Sequence, residues 1–524
     1  MKWSEFRIRL DVNLVLVALL SVFAFAPLTR PGFHQSHSGF LPVFDLYDLE
    51  RNLWGNWGWL PSAAGEWDLL TREGPVPYLI AEFLRWLGIG GVQAIEGVYL
   101  ISFVASGVGM YLLGKQLYGS RGGLVAGVVY TYLPYHLATV YVRGAFAEAW
   151  ALVLYPFILL CYEKFMSQRA ALWGVAAILL HASLALTNLG LALLFVLFLL
   201  AYVLVLSPSR RARGQALLLL PASLGLAMLL QLPMALRHGI LLQSGEDFWQ
   251  HFVYPFQLLS ASWGYGASLP GWDDTLPLQV GLVATGLTLF AGMLWLGAGE
   301  ADPTVVRRVG FFVTTSFVMV LLLLHPAALI WRISLLSLLL RYPWQLLALV
   351  GLSMAAASGG AVGLARELGR FHWQAVLLTL TVLASYSYLT PHFTDVEVGA
   401  APLAIVGDEM TLLSYRREGP LLHGATVRLT LYWQALRPMG TDYTVFVHVV
   451  DPEGTIWGQS DAMPAQGEKP TSSWEMGEIV VDEHQLKIDV EGPRKGYRIQ
   501  LGVYDPDTRE RLPVSTRGTV ITLE

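Results

Sequence analysis

Acidic residues are concentrated in a segment that follows the first hydrophobic stretch of this sequence. Asp45 and Asp48 lie three residues apart, and Glu50 follows them closely. In a helix, side chains at this spacing share one face, so the pattern predicts carboxylates presented together. Such carboxylates could take a proton from an acceptor hydroxyl, or hold a divalent cation against a phosphate. Asp45 and Asp48 are therefore the candidate catalytic residues, and a solvated acidic helix start is the alternative.

Two histidines lie just before these acids. His34 and His37 have the i, i+3 spacing of a pair of metal ligands, and His37 could act together with Asp48. Histidine pairs without a nearby third ligand are usually not metal sites. The sequence therefore leaves open whether a divalent cation is a cofactor.

An arginine and a glutamate flank a predicted connection between two helices. Arg143 and Glu148 follow the aromatic segment that ends at His136. An arginine at a membrane interface can bind a phosphate through two parallel hydrogen bonds, and a buried glutamate needs a partner. All three residues are candidate substrate-binding residues. A purely structural ion pair between Arg143 and Glu148 is an equal alternative.

Aromatic residues and a further arginine occur in two later segments. Trp263 and Tyr265 lie among glycines and acidic residues, a mixture that suits contact with a sugar or a lipid headgroup. An interfacial aromatic belt explains them equally well. Arg341 could anchor a lipid phosphate, or extend its head to the interface. All three are further candidate substrate-binding residues.

The composition indicates which elements position these residues. Of the 524 residues, 54% are hydrophobic and 14% are charged, whereas soluble domains carry about 25% charged residues. A helix needs about 20 apolar residues to cross the hydrocarbon core of a bilayer. The sequence predicts a polytopic α-helical membrane protein with about eleven spans at 11–29, 92–113, 122–139, 147–165, 171–187, 189–207, 215–236, 277–298, 310–326, 343–364 and 373–390.

Lysine and arginine cluster in the short loops that face the cytoplasm if the amino terminus is placed inside. The long loops 30–91 and 237–276 then lie outside, where membrane lipids are the first partners expected. Long loops in compact domains usually carry function. The basic residues are scattered, so nucleic-acid binding is not expected. The single cysteine, Cys161, excludes a disulfide within the chain.

A second domain is predicted at 402–524, after a helical domain at 1–390. Val427, Leu429, Leu431 and Trp433 alternate with more polar residues, and similar runs follow between turn residues. Period-two runs of this kind are typical of an antiparallel β-sandwich. With an odd number of spans, this β-domain lies outside the cytoplasm.

Residues 1–390 resemble prokaryotic multi-pass proteins of the GT-C glycosyltransferase architecture. More closely, they are similar to the family of membrane proteins called 6-pyruvoyl-tetrahydropterin synthase-related. The residues that carry this resemblance are Tyr132-Leu-Pro-Tyr-His136, Tyr141-Val-Arg-Gly144, Glu148, Pro255-Phe-Gln-Leu-Leu-Ser260, Trp263-Gly-Tyr-Gly266 and Arg341-Tyr-Pro-Trp344. The carboxy-terminal part, from Leu431 to Pro506, looks like a sandwich module found behind such domains.

The GT-C resemblance implies transfer of a sugar from a polyprenyl-phosphate donor to an acceptor outside the cytoplasm. An acidic residue of the first outer loop then serves as base or metal ligand, while Arg143 holds the donor phosphate. The sequence departs from the expected pattern at Ser38, where an aspartate is expected, and at Gln345, where an arginine is expected. Asp45 or Asp48 is left as the substitute base.

The β-domain is expected to bind an acceptor glycan or to shield the active face. Two other functions use the same scaffold: a non-catalytic binding or assembly protein of the cell envelope, and a lipid or solute transporter. Charged residues are few inside the predicted spans, whereas transport paths usually contain them.

Overall fold

The computed structural model describes most of the chain outside its amino terminus and its first long loop. The described residues are 11–30, 33–39, 42, 43, 45, 46, 49, 74–238, 248–299, 301–334, 336–394 and 403–523, without 261, 267, 273, 408, 437, 475–477 and 515–517. Close contacts divide them into two compact units. One unit takes the described parts of 1–29, 70–80 and 96–390, and the other takes those of 30–69, 81–95 and 391–524.

Helices form most of the chain up to residue 386. Their bounds are α1 Val12–Phe25, α2 Val76–Trp86, α3 Gly91–Tyr118, α4 Ser120–Thr131, α5 Pro134–Tyr141, α6 Phe146–Gln168, α7 Ala171–Thr187, α8 Leu189–Leu206, α9 Arg210–His238, α10 Pro255–Leu259, α11 Leu282–Leu296, α12 Pro303–Leu323, α13 Ala328–Ser334, α14 Leu347–Leu364 and α15 Phe371–Tyr386. Short 3-10 helices join or extend them at Ala26–Thr29, Phe248–Gln250, His325–Ala327, Leu336–Leu338, Pro343–Leu346 and Arg366–Gly369.

Seven helical segments of the described chain are long and apolar enough to cross a membrane. They are Val12–Thr29, Gly91–Tyr118, Phe146–Gln168, Leu189–Leu206, Arg210–Leu230, Pro303–Leu323 and Pro343–Leu364. α7 and α11 are also apolar, but they are shorter. The predicted polytopic helical architecture is confirmed. The predicted number of about eleven spans is not, because several apolar stretches form helices too short to meet the length that a bilayer requires.

The predicted span at 122–139 is interrupted in its middle. α4 ends at Thr131, and α5 begins at Pro134, because proline lacks the N–H that would continue the helix and disfavours helical backbone at the preceding residue. The carbonyl of Tyr132, at the interruption, accepts a hydrogen bond of 2.7 Å from the hydroxyl of Ser385. The break therefore costs little backbone hydrogen bonding and starts a short, separately oriented helix.

Glycines bring α4 and α14 into close contact. A Cβ atom at Gly122 would lie 2.8 Å from the carbonyl oxygen of Gly359, and one at Gly359 would lie 2.6 Å from the carbonyl oxygen of Gly122. Small residues at helix interfaces allow backbones in a membrane to approach and gain van der Waals contact. Nearly every residue of α14 is buried, so this helix forms the centre of the helical unit.

Strands form the second unit. Their bounds are β1 Phe33–Gln35, β2 His392–Thr394, β3 Ala404–Val406, β4 Met410–Glu418, β5 Thr426–Ala435, β6 Thr444–Val450, β7 Ile456–Ala462, β8 Ile479–Lys487, β9 Arg498–Tyr504 and β10 Ile521–Leu523. The order β3-β4-β5-β8 forms one sheet, and β10-β9-β6-β7 forms another. All pairings between neighbours are antiparallel.

Both sheets contribute to one hydrophobic core. Leu429, Leu431 and Trp433 of β5 are fully buried in it, together with Val445 and Val447 of β6. Alternate residues of each strand point to opposite faces, so the period-two pattern of the sequence becomes two inner faces packed together. The predicted β-sandwich is confirmed.

A buried ion pair joins two helices of the first unit. Arg308 of α12 donates a hydrogen bond to the carboxylate of Glu163 in α6. Tyr202 of α8 donates a second one to the same carboxylate, at 2.9 Å. The other terminal nitrogen of Arg308 reaches the carbonyl oxygen of Leu117 at 3.1 Å. The Glu163 side chain is only 6% exposed, so its charge depends on these partners.

Replacing Arg308 with methionine should destabilise the protein, because Glu163 then loses its cation while it remains buried. We expect the free energy of unfolding to fall by about 3–5 kcal/mol. The double variant Arg308→Met, Glu163→Gln should recover part of this loss, since it removes the uncompensated charge. Melting of the detergent-purified protein measures both effects. Arg307→Met is the matched control, because that arginine is exposed; equal losses in the two single variants would contradict the role given to the pair.

Candidate functional site

A short irregular segment between α5 and α6 positions the central arginine of the candidate site. The backbone N–H groups of Arg143 and Ala145 donate to the carbonyls of Ala138 and Thr139, each at 2.9 Å. Gly144 has a φ of +59°, a left-handed conformation that glycine adopts without steric cost. These bonds fix the direction in which Arg143 leaves the backbone.

The Arg143 guanidinium and the Glu148 carboxylate form a bidentate pair. The second terminal nitrogen of Arg143 donates to Oε1 of Glu148 at 3.0 Å, and the first donates to Oε2. Tyr135 adds a hydrogen bond of 3.1 Å from its hydroxyl to Oε2. Glu148 lies in the first turn of α6, where the positive end of the helix dipole also favours a carboxylate. The pair that the sequence suggested is therefore present.

Gln345 completes the surroundings of Glu148. Its amide nitrogen donates to Oε1 of Glu148, while its amide oxygen accepts from the backbone N–H groups of Arg341 and Tyr342, at 2.9 and 3.1 Å. An amide can donate and accept at once, whereas a guanidinium can only donate. This double role gives a physical reason for glutamine at the position where the resemblance led us to expect arginine.

An indole ring supports the arginine from one side. The guanidinium carbon of Arg143 lies 4.5 Å from the ring centroid of Trp344, a distance typical of a cation–π contact. The Trp344 side chain belongs to the 3-10 helix Pro343–Leu346 and is buried. Arg143 keeps 13% of its side-chain surface exposed, and Glu148 keeps 8%. The carboxylate and the indole together fix the orientation of the guanidinium.

A serine anchors Trp344. The indole N–H donates to the hydroxyl oxygen of Ser268 at 3.0 Å, and that hydroxyl donates to Asp274 at 3.0 Å. His251 approaches the same hydroxyl oxygen at 2.8 Å through Nδ1. Burial raises the pKa of Asp274 to about 6, more than its bonds with Leu276 N–H and the Ser268 hydroxyl lower it.

Sequence reasoning did not assign Tyr135, Trp344, Ser268 or Asp274 to the site. Tyr135 and Trp344 lie within the motifs that carry the family resemblance, and membership of these motifs is the sequence feature that could have identified them as site residues. Ser268 accepts a hydrogen bond from Trp344, which is distant in sequence, and Asp274 bonds to Ser268, so no local pattern places either residue beside Trp344.

His136 is buried inside the helical packing. It is 1% exposed. Its Nδ1 lies 3.0 Å from the carbonyl oxygen of Tyr130, and its ring stacks on Phe103 with 5.1 Å between centroids. These contacts account for its burial, and its assignment as a substrate-binding residue stays a prediction.

Two of the remaining predicted residues of this unit, Trp263 and Tyr265, belong to a second aromatic group. Trp263 stacks on Tyr388 with 4.7 Å between centroids, and its buried indole N–H has no acceptor among the described residues. Tyr265 lies edge-on to Trp263 at 6.4 Å, and its hydroxyl is 3.5 Å from that of Thr390. The Arg341 side chain is exposed. Contact of these residues with a substrate stays a prediction.

The candidate residues of the first loop belong to the second unit. Asp45 is described and fully buried, and His34 is 2% exposed. His37 and Ser38 lie in a turn and are partly exposed. Asp48 lies outside the described residues, so its sharing of a face with Asp45 stays a prediction.

The turn that contains His37 and Ser38 packs against the β-sandwich. β1 pairs with β2 just before this turn. Gly39 has a φ of +50°, and a Cβ atom there would lie only 1.8 Å from the side-chain oxygen of Gln434 in β5. Within the described part of the chain, no three His, Cys, Asp or Glu side chains are grouped so as to hold a metal ion. The metal roles of His37 and Asp48 stay predictions.

Asp274 should make stability depend on pH. Because its folded-state pKa is raised, the stabilising contribution is present at low pH and is lost as the pH rises towards 6 and beyond. We expect the wild-type protein to lose about 1 kcal/mol more than Asp274→Asn between about pH 5 and pH 7.5. Thermal melting in detergent measures this difference. His251 is present in both proteins, so parallel pH curves would exclude the role given to Asp274.

Comparison with solved structures gives matches of low identity. The apo oligosaccharyltransferase of Archaeoglobus fulgidus is 12% identical, with a TM-score of 0.45, over 75% of this chain and 57% of that one. The same archaeon's AglB, in complex with an inhibitory peptide and a dolichol-phosphate, is 14% identical, with a TM-score of 0.43, over 73% and 56%. ArnT of Cupriavidus metallidurans, bound to undecaprenyl phosphate, is 14% identical, with a TM-score of 0.32, over 67% and 77%.

This chain spans little more than half the length of the archaeal enzyme. No curated protein matches the sequence. The family described as 6-pyruvoyl-tetrahydropterin synthase related domain, membrane protein, matches residues 74–394. The match covers more than half of the chain, includes the Arg143–Glu148 pair and agrees with the family resemblance predicted from the motifs. This chain therefore belongs to the membrane-protein family called 6-pyruvoyl-tetrahydropterin synthase-related.

Proposed function

We propose that this membrane protein transfers a sugar from a polyprenyl-phosphate donor to a hydroxyl group of an acceptor in the cell envelope. The amino terminus lies in the cytoplasm in this proposal, and the long loops and the β-domain lie on the opposite side. The observation that carries it is the Arg143 guanidinium, which is fixed by Glu148 and Trp344 and belongs to a side chain that keeps 13% of its surface exposed. The donor class is the one that the sequence resemblance implies.

Arg143 holds the phosphate of the donor lipid. As the bond between the sugar and the phosphate breaks, negative charge grows on the departing phosphate oxygen. A guanidinium already oriented in a buried setting stabilises that charge without first reorganising. The bidentate contact with Glu148 and the ring of Trp344 supply this orientation. Glu148, Tyr135 and Gln345 therefore act as positioning residues.

Asp45 accepts the proton of the acceptor. In the transfer, the acceptor oxygen forms a bond to the anomeric carbon, the bond from that carbon to the phosphate oxygen breaks, and the hydroxyl proton passes to a carboxylate. Asp45 is the carboxylate of the acidic segment that lies among the described residues, and it is fully buried. Asp48 is the second candidate.

The β-sandwich binds the acceptor glycan in this proposal. A non-catalytic binding or assembly role on the same scaffold is favoured by one observation, Ser38 at the position where the resemblance predicts an acid. Restoring the acid with Ser38→Asp separates the two functions. A rise in sugar transfer supports a weakened enzyme, and unchanged glycan binding without transfer supports the binding protein.

Arg143→Lys should lower sugar transfer by about 10–100-fold, because lysine keeps the charge but cannot form two parallel hydrogen bonds. The measurement is transfer of labelled sugar from a polyprenyl-phosphate donor by the purified protein. Arg332→Lys is the matched control: its guanidinium also lies over a tryptophan, 4.9 Å from the Trp249 ring centroid, but its side chain is exposed outside the cluster. Equal turnover in wild type and Arg143→Lys would remove Arg143 from the mechanism.

Asp45→Asn should lower the same turnover by about 100-fold or more, since general-base catalysis contributes at least this much. Asp48→Asn, measured in parallel, assigns the base to one of the two positions. Both variants keep the size of the side chain, and binding of the donor lipid should remain. Unchanged turnover in both would exclude the acidic segment as the source of the base.

A further inference from the structure

Two edge strands of the β-sandwich bring a serine, a histidine and an aspartate together. β7 is the last strand of one sheet, and β8 is the last strand of the other. Nδ1 of His484 lies 3.0 Å from the hydroxyl oxygen of Ser460, and Nε2 of the same ring lies 2.9 Å from Oδ2 of Asp482. Both distances are within hydrogen-bonding range.

The protonation pattern follows from the carboxylate. An ionised carboxylate only accepts hydrogen bonds, so Nε2 of His484 carries the proton that bonds to Asp482. In the neutral ring, Nδ1 then has a lone pair directed at Ser460, and the serine hydroxyl donates to it. A nucleophile, a base and a group that orients the base form a chain of this kind in enzymes with an activated serine.

The location of this group argues against an ordinary core. Asp482 and His484 occupy inward-facing positions of β8 between Val480 and Leu486, and both are fully buried. A charged pair in such positions is often no more stable than apolar residues of the same size. Ser460, in contrast, keeps part of its surface exposed. The chain of hydrogen bonds therefore runs from two fully buried side chains to a partly exposed serine.

A strained turn holds the carboxylate. The backbone N–H of Ala465 donates to Oδ1 of Asp482 at 3.0 Å. Ala465, Gln466 and Gly467 have φ values of 51°, 56° and 88°. Left-handed backbone at consecutive residues other than glycine costs energy and concentrates at functional sites. The strained turn and the buried pair of Asp482 and His484 are independent features, and both lie at the same candidate site.

We propose that Ser460, His484 and Asp482 form a nucleophilic site that hydrolyses short carboxylic esters, such as O-acetyl groups. Ser460 Oγ forms a bond to the acyl carbon as its proton passes to Nδ1 of His484. The bond from the acyl carbon to the alcohol oxygen breaks, and that proton passes to the departing alcohol. Water then attacks the acyl carbon as one of its protons passes to Nδ1 of His484. The bond from the acyl carbon to Ser460 Oγ breaks, the proton on His484 passes to Oγ, and the carboxylic acid leaves. Short acyl groups suit this position because the flanking strands are close: a Cβ at Gly458 would lie 2.9 Å from Lys487 O.

A fluorophosphonate probe tests the proposal on the full-length protein in detergent. We expect the native chain to be labelled at Ser460, located by peptide mass spectrometry, about 100-fold faster than the same chain after denaturation. Ser460→Ala should lose this label. Ser473→Ala, which changes an exposed serine on the 3-10 helix Thr471–Ser473, should keep it. Native labelling of Ser460 no faster than in the denatured chain would overturn the proposal, whatever the variants do.

The role of Asp482 has its own readout. Asp482→Asn should lower the maximal rate of labelling and leave unchanged the probe concentration that gives half of that rate, because Asp482 acts only through His484. Hydrolysis of p-nitrophenyl acetate should fall in parallel. A folded Asp482→Asn protein, shown by an unchanged melting temperature, that is labelled at the wild-type rate would contradict the assignment. None of these measurements uses a polyprenyl-phosphate donor, so they are independent of sugar transfer.

Discussion

A carboxylate enclosed in a membrane protein remains charged only if the surrounding groups replace the water that it has lost. Glu148 satisfies this constraint through Arg143, Tyr135 and Gln345, which together supply hydrogen bonds to both of its oxygens. Because each partner comes from a different element, the carboxylate also joins α5, α6 and the segment before α14. The same interaction that stabilises the charge thus fixes the direction of the arginine.

Close backbone packing makes such a site rigid. Glycines let α4 and α14 approach to van der Waals contact, and the proline at the start of α5 ends the preceding helix where a new direction is needed. Trp344 is then fixed by Ser268, and Ser268 by Asp274. A guanidinium that lies over this indole has little freedom to reorient. For a group proposed to meet a phosphate, that is the property that matters.

The β-domain satisfies its buried charge in a different way. Asp482 and His484 bond to each other on one strand. The backbone N–H of Ala465 bonds to the other carboxylate oxygen of Asp482, and the hydroxyl of Ser460 bonds to the other ring nitrogen of His484. In both units, a charged group is placed where apolar residues would pack more simply. In both units, at least one of its partners comes from a neighbouring element.

The sequence by itself determined the class of the protein. Apolar stretches of nearly bilayer length predict a polytopic helical domain, and alternating residues such as Leu429 and Leu431 predict the sandwich. Both signals are local and repeat along the chain, so they can be read without knowledge of the fold. The motifs around Arg143 and Trp344 also identified the family, because they are short and specific.

Only the tertiary structure decided which residues meet. Gln345 reaches Glu148 across almost two hundred residues of sequence, and Ser460 meets His484 between two separate sheets. No periodicity encodes such contacts, since they depend on how whole helices and sheets pack. The break at Tyr132 is another feature that a sequence pattern does not predict, because hydropathy predicts one span there. The chain forms two helices, because Pro134 prevents continuation and Ser385, far along the sequence, accommodates the interrupted backbone.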